Sequence, residues 1–114
     1  MKHDDSVYLK HLRDAIAKIE LYSHDVDEQG FALNPMVQDA VIRQLEIIGE
    51  ATKWLSQEMR ARKPNIPWPD FARMRDKLIH GYFGVDIEIV WRTLENDLPG
   101  LRSAVDELLS ELGE

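Results

Sequence analysis

"NPMVQDAVIRQLEIIGEATKWL" occupies residues 34–55, and its reading decides the fold. Asn34 followed by Pro35 is a helix start: the Asn side chain can accept from a free amide of the first turn, and proline suits that turn because its missing N–H has no partner there anyway. The helix is expected to run from Pro35 to about Arg62. Val37, Ala40, Val41, Gln44, Ile47, Ile48, Ala51, Trp54 and Leu55 cover nearly half its circumference, so it should pack on more than one neighbour. Asp39, Arg43, Glu46 and Glu50 form the opposite face, where Arg43 can pair with Glu46. Gly49 lies inside the helix at a cost of up to about 1 kcal/mol relative to alanine. Its presence there predicts that a neighbouring backbone comes close.

Toward the N-terminus, Leu9, Leu12, Ile16 and Ile19 recur at helical spacing with Tyr8, Ala15 and Tyr22 beside them. This predicts a helix over about Ser6 to Tyr22. "SHDVDEQGFALN" breaks the pattern with acidic residues and Gly30, and is expected to be a loop. On the other side, the three prolines of "KPNIPWPDF" must interrupt the long helix. Phe71, Met74 and Leu78 then form the stripe of a third helix that Gly81 is placed to end. Val85, Asp86 and Val90 have the form of a staple and cap for a fourth, continued by Trp91 and Leu94. Pro99 begins a new helix or kinks this one, and Leu101, Val105, Leu108 and Leu112 supply the last stripe. With no competing strand pattern, the expectation is an all-α, four-helix-type up-down bundle with a short fifth helical segment, formed by residues 1–114 as one domain.

A chain of 114 residues and 13.2 kDa with 44% apolar and 31% charged residues has the composition of an ordinary globular domain. The absence of cysteine excludes a disulfide framework, a thiol nucleophile and a thiolate zinc site, and suits a reducing cytoplasm. "MKHDDSVYLKHLRDAIAK" lacks the apolar region of a signal peptide, and no stretch approaches the roughly 18 apolar residues of a membrane helix, so a cytoplasmic protein is expected. The net charge of −7 argues against broad binding to nucleic acid, DNA included. Yet Ala51–His80 holds seven basic against three acidic residues, which makes that segment +4 and leaves −11 elsewhere. Such asymmetry permits a local patch facing phosphate, as it equally permits a solvated helix surface.

Within the basic segment, Arg75 falls about 40° from Phe71 on the helical wheel, on the apolar side. A charge there must be paired or lie in a pocket or interface. A regular helix would set His80 about 140° away from Arg75. A left-handed Gly81, however, would let His80 leave the helical path and turn back beside Arg75. The plainer reading of His80 is interaction with the carbonyl end of the helix. Together the two residues suit phosphoryl chemistry on RNA without a metal or other cofactor. Histidine can take a proton from a ribose 2′-hydroxyl, arginine can hold the phosphate, and two copies in a dimer could divide the roles of base and acid. Arg73, Asp76 and Lys77 are supporting candidates for contact with phosphate, and Tyr82 could orient a phosphate or the His80 ring. His3, His11 and His24 have no spacing with carboxylates that demands a metal site.

Arginine, four residues, histidine, one residue and tyrosine, as in "RDKLIHGY", resembles the signature of the HEPN superfamily and, within it, the HepT-like toxin family. The likeness extends over nearly the whole chain: "DAVIRQLEIIGEATKWL" resembles the family's second helix, "NIPWPDFARMRDKLIHGYFGVD" its third helix and turn, and "VWRTLENDLPGL" the segment beyond that turn. The resemblance implies an all-helical homodimer whose paired Arg75 and His80 line a cleft and act as a metal-independent endoribonuclease. It further implies a toxin–antitoxin pair, in which an MntA-like minimal nucleotidyltransferase neutralises the toxin by adenylylating Tyr82. Two other readings stay open. One is a non-catalytic binding module that forms a complex with, and is modified by, the nucleotidyltransferase. The other is a structural helical adaptor.

Overall fold

The computed structural model describes residues 3–81 and 84–114, and every regular element among them is helical. In α1 (Asp5–Ser23), Asp4 caps the first turn by accepting the Ser6 N–H at 3.0 Å. Leu9, Leu12, Ile16 and Ile19 are all buried, so the stripe that spacing predicts is the face that enters the core. The segment expected to be a loop contains a short helix, α2 (Glu28–Ala32). Asp27 caps it through the Gly30 N–H, fully buried Phe31 anchors it, and Gln38 of the next helix donates to the Phe31 and Ala32 carbonyls.

α3 (Pro35–Trp54) starts as its sequence predicts, with the Asn34 side chain accepting the Val37 N–H at 3.2 Å. It stops eight residues short of Arg62, because a distant carboxylate intervenes. Asp5 of α1 accepts both the N–H (2.8 Å) and the hydroxyl (2.7 Å) of Ser56. Those bonds leave the Ser56 Oγ to cap α4 (Gln57–Ala61) through the Met59 N–H, and Leu55 takes an extended conformation between the two helices. The proline-rich connection is tied down by the Trp68 indole, which donates to the Arg60 and Lys63 carbonyls at 3.1 Å each.

α5 (Trp68–His80) buries Trp68, Phe71 and Leu78. α6 (Ile87–Arg92) is capped by Asp86, with Val85 packed on the core and Val90 buried, as the staple-and-cap reading predicts. A π-helical segment (Thr93–Asp97) joins α6 without a break to α7 (Leu98–Glu111). In an α-helical register the ring of Pro99 would press on the carbonyl four residues earlier, at Glu95, and the wider turn falls where that conflict arises. Pro99 therefore lies in the first turn of α7, where a helix start or kink is expected, while the chain passes from α6 into α7 without a break. The expected five helical segments become seven α-helices and one π segment among the described residues.

Asp5, at the start of α1, meets Ser56 just beyond α3, and Tyr8 stacks on Trp54 at the end of α3. Lys10 meets Glu114, while Glu20 meets Arg102. α1 thus runs antiparallel to both α3 and α7. α3 lies between α1 and α5, and α2 packs against α3 and α6. One buried apolar cluster joins residues from α1 to α7. Among the described residues no helix is long and apolar enough to cross a membrane.

Candidate active site

The site begins with the contact between α3 and α5 at Gly49. A Cβ at this position would stand 2.2 Å from the Arg75 Cβ and 2.7 Å from the Phe71 carbonyl oxygen, so only glycine allows the two backbones this approach. That bears out the expectation placed on Gly49. The approach presses the stem of Arg75 against α3, where its Nε forms an ion pair with Glu50 Oε2 at 2.9 Å and its Nη1 donates to Asp76 Oδ1 at 3.1 Å. Arg75 is half-buried and paired, as an arginine on the apolar side of α5 must be. Its remaining donors are not taken by these two carboxylates.

Asp76 also receives the Lys53 ammonium at 2.8 Å. The hydrogen bond from Lys53, followed by that from Arg75, holds its carboxyl below the ordinary carboxylate range. The backbone of the same residue fixes His80, whose Nδ1 lies 2.8 Å from the Asp76 carbonyl oxygen. A carbonyl only accepts, so Nδ1 carries the proton, and in the neutral ring Nε2 keeps its lone pair. His80 is exposed. Its imidazole is therefore oriented, accessible and in the tautomer that can accept a proton at Nε2.

The structure corrects the expectation that a left-handed Gly81 brings His80 round to Arg75. Gly81 has φ −86° and ψ 47°, and its N–H donates to the Lys77 carbonyl at 2.7 Å, so α5 continues through His80. Glycine is required there for a different reason: a Cβ would lie 2.6 Å from that same carbonyl oxygen. Arg75 and His80 consequently lie about 140° apart around the helix. They are joined through Asp76, whose side chain touches one and whose backbone touches the other. Asp76 thus orients its neighbours, and its negative charge does not suit it to touch a phosphate. Arg73 pairs with Asp70 on the exposed side, Lys77 is exposed, and Tyr82 lies outside the described residues.

Arg75 also lines an open groove of about 360 Å³ between α1, α3 and α5, bordered by Tyr8, His11, Arg43, Glu46, Glu50 and Trp54. Trp54, assigned by spacing to the packed face, is 54% exposed and stacks on Tyr8 with 6.1 Å between ring centroids. Its indole N–H donates to Glu50 Oε1 at 3.0 Å. Glu50 therefore bridges Trp54 and Arg75 with its two oxygens. The signal for this was present: Glu50 and Trp54 are four apart, hence neighbours on one helix face.

The basic segment is largely neutralised. Lys53 pairs with Asp76, Arg62 with Glu111, Lys63 with Glu107 and Arg73 with Asp70, in addition to the pairs of Arg75. His3 bonds Asp5 at 2.9 Å, and among the described residues no group of three or more His, Asp or Glu is gathered as a metal ion would need.

The family described as Ribonuclease HepT-like matches residues 12–108. A Thermococcus cleftensis protein named "Probable ribonuclease HepT" is 43% identical over 108 residues, covering 95% of this chain and 98% of its own. A Methanocaldococcus jannaschii protein named "Gamma-glutamylcyclotransferase and putative RNase" is 44% identical over 98% of this chain, which spans half of that relative's length. A further M. jannaschii protein, named "Putative RNase", is 37% identical, with 99% of this chain and 97% of its own covered. No solved structure matches.

Proposed function

The chain belongs to the HepT-like family, and from that premise we propose that it is the toxin of a toxin–antitoxin pair, a metal-independent endoribonuclease using Arg75 and His80. The observation that carries this reading is the Nδ1 anchor of His80 on the Asp76 carbonyl, beside an Arg75 held by the side chain of the same residue. His80 Nε2 takes the proton of a ribose 2′-hydroxyl, and the freed oxygen attacks the adjacent phosphorus. The bond from phosphorus to the 2′-oxygen forms as the bond to the 5′-oxygen breaks, and the leaving oxygen takes a proton. Arg75 offsets the charge gathered on the phosphate oxygens between these events. One chain has one histidine at this place, and it lies well round α5 from Arg75. A second copy supplies the acid, so that the complete site spans a homodimer.

The reaction consumes the 2′-hydroxyl, which makes RNA and not DNA the substrate. Neutralisation falls to adenylylation of Tyr82 by an MntA-like minimal nucleotidyltransferase. The purified chain, confirmed by mass to be unmodified, is expected to cut RNA in EDTA. His80→Ala should abolish cutting while circular dichroism and Tm stay unchanged. A broad RNA panel left intact by the unmodified chain would end this reading.

A second reading is favoured by the pairing of Arg75 within one chain to Glu50 and Asp76. Here the domain is a non-catalytic module bound and modified by the nucleotidyltransferase. Incubation with that enzyme and ATP should then add AMP to the wild type and not to Tyr82→Phe, with no RNA cut by the unmodified chain.

A further inference from the structure

We infer that the groove beside Arg75 is a stacking site for one unpaired base of the RNA strand, with Trp54 as its platform. The inference rests on the ribonuclease reading and adds to it a place where the substrate is held. Trp54 is more than half exposed, although an indole in the last turn of a packed helix is ordinarily turned inward. Its ring is fixed from two directions, by near-parallel stacking on Tyr8 (15° between planes) and by the hydrogen bond to Glu50. A side chain held this way loses little conformational freedom when a flat ligand lands on it.

The chemistry around the platform suits a base better than a dry protein surface. Glu46 and Glu50 offer carboxylate oxygens for the N–H groups of a base edge, Arg43 and Arg75 offer donors for its carbonyl and ring-nitrogen acceptors, and Ile47 and Ile79 add apolar surface to the lining. Arg43 is itself 68% exposed and only loosely paired with Glu46, at 3.5 Å. Covering these four charged groups with a protein partner would strip them of water at a cost that surface ion pairs of this kind do not return. A base leaves the groove wet on its open side. The volume, about 360 Å³, falls at the lower end of the roughly 300–1,000 Å³ range of small-molecule sites. Because one carboxylate accepts from Trp54 and forms an ion pair with Arg75, a base on the indole lies next to the guanidinium proposed to hold the phosphate.

The test uses the full chain carrying His80→Ala, so that the probe stays intact, and measures the anisotropy of a fluorescein-labelled single-stranded oligoribonucleotide. Adding Trp54→Ala should weaken binding about 5- to 150-fold, the loss of one stacked base. Trp54→Phe, which keeps a flat ring, should retain most of the affinity. The mass by light scattering should be the same for all three proteins. Affinity within about twofold for Trp54→Ala would overturn the inference, as would a loss accompanied by a change in mass, which would make this face a contact between copies of the chain. With His80 present, wild-type protein that cuts RNA and a Trp54→Ala protein with equal kcat/KM would remove the stacking site alone. Failure of the wild type to cut or bind RNA would remove both readings.

Discussion

Replacing Gly49 with alanine sets two effects of opposite sign against each other. Alanine in a helix interior is favoured over glycine by up to about 1 kcal/mol. Against this, the new methyl group would lie 2.2 Å from the Arg75 Cβ and 2.7 Å from the Phe71 carbonyl oxygen. Neither atom can swing aside as the end of a flexible side chain could, so α3 and α5 must separate, an overpacking cost of about 1–3 kcal/mol. Taking the full propensity gain from that cost leaves a net destabilisation of up to about 2 kcal/mol and a Tm lowered by up to about 10 °C for a chain of this size. Gly100 provides the control. It lies in the first turn of α7, where an added Cβ meets only the Ile66 Cδ1 at 4.0 Å, so Gly100→Ala should be neutral or slightly stabilising. Both variants and the wild type are to be melted by circular dichroism at one protein concentration. A Tm for Gly49→Ala equal to or above the wild type would show that the helices slide apart freely, and would refute the claim that Gly49 sets the position of Arg75.

Two further substitutions test the contacts that hold the site. Burial of the Asp5 carboxyl opposes its ionisation, but hydrogen bonds from the Ser56 hydroxyl and N–H, and from His3, outweigh burial and hold it below the ordinary carboxylate range. A lowered carboxyl pKa contributes stability above the unfolded value, about 3.9, that is lost as the pH falls through the folded value. Asp5→Asn should therefore cost about 1–3 kcal/mol at pH 7 by urea denaturation, and its difference from the wild type should shrink below pH 4; a constant difference at every pH would contradict the linkage. Arg75→Lys keeps the charge but replaces a fork that reaches Glu50 and Asp76 together, and that is proposed to hold a phosphate, with a single point donor. Its kcat should fall on the order of 10²-fold with little change in Tm, and unchanged kcat would mean that Arg75 is structural.

How far each feature could be read in the sequence depended on the distance over which its cause acts. The α1 stripe, the Asn34–Pro35 start, the Asp86 cap and the demand of Gly49 for a close neighbour are local patterns, and the structure returns each of them. The end of α3 was not legible, because nothing near Leu55 breaks the helix. The carboxylate that claims Ser56 belongs to Asp5, 51 positions earlier. α2 was missed because acidic residues and a glycine have the composition of a loop, although Asp27 and Gly30 are also the cap and first turn of a helix closed by Phe31. Gly81 was correctly placed as the end of α5 but for the wrong physical reason. Glycine can answer a need for positive φ or a need for space, and its sequence context does not distinguish them. At the candidate site, residue type and spacing single out Arg75 and His80 as candidates, whereas the contact of Asp76 with both is visible only in the structure.

The ion pairs of the basic segment determine what kind of RNA binding to expect. Seen as sequence, seven cations between Ala51 and His80 suggest an electrostatic surface. In the fold, Arg62 and Lys63 turn to Glu111 and Glu107 of α7, Lys53 to Asp76 and Arg73 to Asp70. Exposed pairs of this kind are worth only about 0–1 kcal/mol each, so a phosphate can displace a carboxylate partner, but with little net gain. Few phosphates per chain should then be neutralised, chiefly by Arg75. Each contributes about −0.7 to the slope of log K against log salt for a single strand, so a slope between about −1 and −2 per chain is expected. The remaining affinity must come from interactions that salt does not screen, and stacking on Trp54 is the one the groove offers. Titrating the labelled oligoribonucleotide from low to high salt measures the slope directly. A value steeper than about −4 would mean that the paired cations open to bind RNA, and would shift the weight of recognition from the groove to the surface charge.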